Sequence, residues 1–187
     1  MANYALEGPH WAIGQTVTWA ADPSVPAFFL NDIAHAFADW SSHANIHFQQ
    51  VASPTVANIV LSEAPLDGPG GMVGETHYTY SGQSISSAHI EFDSNEGWSP
   101  SGTHAVSAQG AGLFPVALHE IGHGGVGLDH YAAVPAIMNP ILTPSVTDLT
   151  PSDIEGAQAI YGPPAAAAPV VVAAAPEFHH DPYWGFF

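Results

Sequence analysis

The chain has 187 residues, 47 % of them hydrophobic, enough for one domain with a core of its own. It carries no lysine, arginine or cysteine against 17 acidic residues, a formal charge of −17 that favours solubility and divalent cations. Nucleic acid and anionic membrane surfaces are excluded for want of a cation, a disulfide framework for want of cysteine, and a membrane span because no apolar run reaches roughly 18 residues.

In chain order, residues 1–15 read as an irregular lead-in marked by Gly8-Pro9 and Gly14, and Thr16-Val17-Thr18-Trp19 alternates as a strand does. Pro26 opens a helix, with Ser24 as its candidate cap. Phe29, Ile33, Phe37 and Trp40 recur at helical spacing, so they are its buried stripe rather than a binding surface. Residues 46–51 and 59–61 read as two strands. Residues 64–111 are rich in Gly, Ser and Pro, with short strands near 74–80 and 88–92. A helix is expected over 112–124; Pro115 is tolerated in its first turn, where the missing N–H has no partner anyway. Thr150-Pro151-Ser152-Asp153 is a capped helix start, and Ile154, Ala157, Ile160 and Tyr161 form the packed face of a closing helix that stops at Gly162. The helix-then-sheet order suits an α+β domain over residues 1–162. Residues 163–187 begin Pro/Ala/Val-rich and low in complexity, a tail with no core of its own.

The chemistry sits in His119-Glu120-Ile121-Gly122-His123. Two histidines four residues apart share one helix face, so both imidazoles can grip one metal ion. Glu120 falls off that axis, placed to handle a proton on a water without being a ligand. A third ligand must come from outside the turn. Three protein ligands leave the fourth zinc position open, the arrangement of a catalytic rather than a structural site. Glycines follow directly, where a helix should stop and the chain turn back. Downstream stands Ala136-Ile137-Met138-Asn139-Pro140, a methionine beside a proline-bearing turn.

These residues resemble the metzincin metalloproteases, whose long motif is H-E-x-x-H-x-x-G-x-x-H followed by a Met-turn, and among them the matrixins and the serralysin-like bacterial enzymes. The resemblance extends from about residue 10 to 162, through WAIGQTVTW, AFADWSSHANIHFQQV, ANIVLSE, LDGPGG, SAHIEFD and DLTPSDIEGAQAIYG. It implies a twisted mixed sheet with a long first helix and an active-site helix, then a C-terminal subdomain holding the Met-turn and the closing helix. One departure stands out. Gly127 and His130 each lie one place later than the family spacing, as if one residue were inserted in Gly124-Gly125-Val126. The third ligand is therefore His130, reached through a looped-out glycine, or Asp129 at the unshifted position; an inserted residue that spoils the site is the remaining option.

The resemblance further implies a zinc endopeptidase acting as a monomer on protein or peptide substrates. Glu120 would be the general base, His119, His123 and His130 the metal ligands, and Met138 an apolar floor beneath them. Pro140 stands two places after Met138, so no tyrosine follows it as a further ligand. Structural ions are implied as well. Asp67, in a Gly-rich turn, suits calcium, and His89, Glu91 and Asp93 sit where matrixins hold a second zinc and a calcium. A preceding His-x-Asp pair is missing, with His77 as a stand-in. Secretion without a classical N-terminal signal peptide follows from the likeness to serralysin-like enzymes. Two other classes fit the same residues: an inactive metal-binding protein of this fold, and a secreted structural or interaction protein that works through its tail.

Overall fold

The computed structural model describes residues 2–165. Its centre is a five-stranded sheet of β2 (Thr16–Ala21), β3 (His47–Gln50), β4 (Ile59–Ala64), β5 (Gly74–Ser81) and β6 (Ser84–Asp93) in the order β3-β2-β4-β6-β5. All pairings are parallel except that of β5, which lies antiparallel on β6 and is a free edge among the described residues. Strand alternation puts Val17, Trp19, Ile59, Leu61, Ala88, Ile90 and Phe92 in the core. The helices α1 (Leu30–His43) and α2 (Leu113–Ile121) join that core, with the ring of Phe37 stacked on Trp19 at 4.6 Å. The mixed sheet and helices make the α+β architecture expected.

The stripe of α1 is buried as its spacing requires, with Phe29, Ile33, Phe37 and Trp40 at most 1 % exposed. Its start differs from expectation. A 3-10 turn, Ala27–Phe29, precedes the helix, and Ser24 does not cap it; its hydroxyl donates to Asp22 and accepts from the Glu63 N–H. Burying each large side chain stabilises by about 2 kcal/mol, against about 1 kcal/mol for a cap, so the helix begins where the stripe begins.

The lead-in is not wholly irregular either. Ala5–Leu6 forms β1, antiparallel to β9 (Leu128–Asp129), pairing Ala5 with Asp129 and Leu6 with Leu128. A hairpin of β7 (Ser99–Ser101) and β8 (His104–Val106) precedes α2. The closing helix α3 (Pro151–Tyr161) starts with the expected capping box between Thr150 and Asp153. Its inner face is more polar than expected: Ser152, Asp153, Gly156, Ala157 and Tyr161 are buried, while Ile154 and Ile160 are only partly covered. No helix among the described residues is long and apolar enough to cross a membrane. The greater part of the expected tail, residues 166–187, lies outside the described residues.

Candidate metal centre

The helix carrying the first two histidines ends sooner than the sequence suggests. α2 stops at Ile121, and Gly122–Val126 form one turn of π-helix. The N–H of Gly127 reaches back five residues to the Gly122 carbonyl at 3.0 Å. A π turn is the local form that takes up one extra residue inside a helix, and it falls on the Gly124-Gly125-Val126 segment where the sequence reading places an inserted residue. Neighbouring side chains satisfy carbonyls of this turn and of the end of α2 before it. The indole of Trp40 donates to Leu118 O at 3.0 Å, the indole of Trp11 to Gly124 O at 2.9 Å, and the hydroxyl of Tyr161 to Val126 O at 3.0 Å. Gly127 then turns the chain at φ +94° into β9.

The turn delivers His130 to the other two imidazoles. The Nε2 atoms lie 3.1 Å apart for His119 and His130, and 3.2 Å apart for both pairs involving His123. A tetrahedral zinc with Zn–N bonds of 2.0–2.1 Å needs nitrogens about 3.3 Å apart, so this donor set fits the ion. The two partly buried imidazoles each have their other nitrogen engaged. Nδ1–H of His119 donates to Ile137 O at 2.7 Å and that of His123 to Leu128 O at 2.8 Å, which leaves Nε2 with its lone pair. Asp129 points elsewhere: its carboxylate accepts from the N–H of His130 at 2.6 Å. Among the described residues, His119, His123 and His130 are the one group of three or more candidate ligand side chains gathered closely enough for an ion.

Burial sets the charge states. It holds His119 below the usual imidazole range, and it takes His123 down to about 3 with the help of the neighbouring His119 and His130. His130 is lowered by burial and then by His119. Each shift is toward the neutral imidazole, the form that binds a metal. Glu120 is pushed up to about 7 by burial, against the opposing hydrogen bond from Thr76, whose hydroxyl donates to Oε2 at 2.7 Å. The second oxygen, Oε1, lies close to Gly74, where a Cβ would come within 3.0 Å of it.

Below the site, Asp153 does more than cap α3. Its carboxylate, 1 % exposed, accepts from the N–H groups of Ile137 and Met138, both at 3.0 Å, and so fixes the turn whose Ile137 carbonyl holds His119. Met138 is buried with its thioether against Gly122, where any added Cβ would collide with Sδ. The three histidines and Glu120 open into a cleft of about 610 Å³, lined also by Gly71–Thr76, Asn139–Leu142, Glu7 and Tyr78.

The residues expected to hold structural ions divide into two places. His89 and Glu91 lie together on β6, with His89 Nδ1 3.8 Å from Glu91 Oε2 and Ser62 hydrogen-bonded to His89 Nε2 at 2.9 Å. His77 stands opposite His89 in the strand register, paired with Glu75 at 3.1 Å. Asp67 instead accepts from the Met72 N–H, and the fully buried Asp93 accepts from Leu66 and Asn95. Burial alone would raise Asp93, but backbone N–H groups from Asn95, Leu66, Asp67 and Gly68 outweigh it and hold the carboxyl below its usual range. Sequence reasoning missed Glu96, 1 % exposed and accepting from the Gly70 N–H at 2.6 Å. It also missed Thr76 and Glu7. Only the alternation of β5 could have signalled Thr76, and nothing periodic marks Glu7.

A family model described as Matrixin matches residues 10–162. Metalloendoproteinase 1 of Glycine max is 35 % identical over 169 residues, covering 82 % of this chain and 53 % of that protein. Karilysin of Tannerella forsythia is 29 % identical over 173 residues, 87 % of this chain and 35 % of its own length. Matrix metalloproteinase-26 of Homo sapiens is 35 % identical over 148 residues, covering 73 % and 52 % respectively. The chain thus spans about half the length of these relatives, or less.

Proposed function

The chain belongs to the matrixin family, and from that premise we propose that it is a zinc-dependent endopeptidase. His119, His123 and His130 hold the ion, and Glu120 serves as general base. The observation that carries this reading is the near-equilateral triangle of three Nε2 atoms, 3.1–3.2 Å on a side, in a cleft that also presents a buried carboxylate. Zinc, when bound, lowers the pKa of a water toward about 7 and polarises a peptide carbonyl.

The protein's own groups supply the rest. Thr76 ties down Oε2 of Glu120, leaving Oε1 to take a proton from the attacking water and return it to the leaving amine. Position matters here: aspartate would withdraw the carboxylate by one methylene, and glutamine cannot accept the proton. β5 is a free sheet edge along the cleft, so an extended peptide can lie beside it through backbone hydrogen bonds. Met138 gives the site an apolar support. The substrates are proteins or peptides, met as a monomer and outside the cell.

A calcium ion near the loop of residues 66–72 is part of the same reading. It is supported by Asp93 Oδ2, which is buried without a hydrogen-bond partner among the described residues, one 3-10 turn from the buried Glu96. Cleavage of unfolded casein tests the central reading. Activity should vanish with a chelator and return with zinc. One zinc per chain with no cleavage would reduce the protein to a metal-binding module.

A further inference from the structure

β1 and the residues around it lie before the segment that matches the family, which begins at residue 10. They are nevertheless tied into the metal centre. β1 pairs with β9, the Glu7 N–H donates to Gly127 O at 3.0 Å, the hydroxyl of Ser152 donates to Asn3 O, and the hydroxyl of Tyr131 donates to Ala2 O at 3.3 Å. This strap pairs with the segment that joins His123 to His130 and brings one charged side chain, Glu7, into the lining of the cleft.

Both oxygens of Glu7 are engaged. Oε2 accepts from the Tyr78 hydroxyl at 2.9 Å, and Oε1 lies 3.3 Å from Nδ1 of His123. Nδ1–H of His123 is thus forked between the Leu128 carbonyl and a carboxylate. We infer that Glu7 is a positioning residue for His123: a carboxylate behind the imidazole, itself fixed by Tyr78, that strengthens this histidine as a zinc ligand. The inference rests on the zinc reading above. Its physical basis is general, since a carboxylate on the far nitrogen of a ligating imidazole fixes the ring and raises its donor strength. The chain has no lysine or arginine to neutralise Glu7, so its negative charge reaches the imidazole undiminished by a basic side chain.

The test is zinc affinity, measured by competition with a chromophoric chelator, on wild type, Glu7→Gln and Tyr78→Phe. The melting temperature of each metal-free protein is measured beside it. Glu7→Gln should weaken zinc binding about tenfold, the low end for such contacts because the fork is long, with the metal-free melting temperature unchanged. Tyr78→Phe, which keeps the charge but frees the carboxylate, should weaken it by less than Glu7→Gln does. The visible bands of the cobalt(II)-loaded protein should shift in Glu7→Gln, as loss of packing alone would not cause. If Glu7→Gln fails to fold, Tyr78→Phe and its cobalt spectrum decide the matter. Unchanged affinity and spectrum in the variants would overturn the role of Glu7 and leave the zinc site standing. A wild type that binds no zinc would overturn both.

Discussion

Thr76 and Glu120 stand 44 residues apart in sequence, yet the hydroxyl of one donates to the carboxylate of the other at 2.7 Å. The free edge strand thereby aims the proposed base. Thr76→Val keeps the shape and removes the donor, leaving the carboxylate to turn within the cleft. A base displaced by about 1 Å can cost about a hundredfold in rate. We expect kcat on a fluorogenic peptide to fall between about tenfold and a hundredfold in Thr76→Val with KM little changed, while Thr76→Ser restores most of it. Equal kcat in wild type and Thr76→Val would contradict this.

Glu120 also makes the metal-free protein sensitive to pH. Its pKa is raised from 4.5 to about 7 by burial, so the folded state binds more protons than the unfolded chain between those values. Stability therefore falls as pH rises through that window, by about 3 kcal/mol at most, and the loss is complete above pH 7. Glu120→Gln escapes it. In chelator, the variant should be more stable than wild type at pH 8, with the difference shrinking toward pH 5, as urea unfolding would read. The same variant should still bind zinc while losing cleavage.

The π turn packs its glycines too closely to admit a side chain. A Cβ on Gly124 would come within 2.7 Å of Thr76 Cγ2 and 3.1 Å of Ala88 Cβ, against the sheet. Overpacking of this kind costs about 1–3 kcal/mol. Gly124→Ala should lower the melting temperature by about 3–9 °C and weaken zinc binding together with it, because the segment that carries His130 must move. A melting curve identical to wild type would count against the packing described.

Asp153 joins the closing helix to the metal centre through the N–H groups of Ile137 and Met138. Asn retains one acceptor and turns an amide donor on the other N–H groups. Loss of charged hydrogen bonds in a buried site costs about 2–4 kcal/mol. Asp153→Asn should show that loss in thermal or urea unfolding, whereas Asp148→Asn, at an exposed position, should be neutral.

How far the site was legible depended on how local its signals are. His119, Glu120 and His123 sit within one turn, so their common face follows from helical spacing alone. The stripe of α1 and the cap of α3 are legible for the same reason. The route from His123 to His130 is not local. It depends on a π turn whose carbonyls are taken by Trp11 and Tyr161, residues far away in sequence. Spacing alone therefore left Asp129 and His130 both open. Glu7 was hidden because a two-residue strand has no periodicity to detect, and it becomes visible only once β9 is there to pair with it. Asp67 and Asp93 were visible as acids, but the sequence does not show that their carboxylates turn onto backbone N–H groups.

Crystals of the zinc-loaded protein, with the ion located by its anomalous scattering, test the account most directly. A single strong peak should lie about 2.0–2.1 Å from Nε2 of His119, His123 and His130, with its fourth position held by solvent. A peak ligated by Asp129 in place of His130, or held by two imidazoles alone, would contradict it.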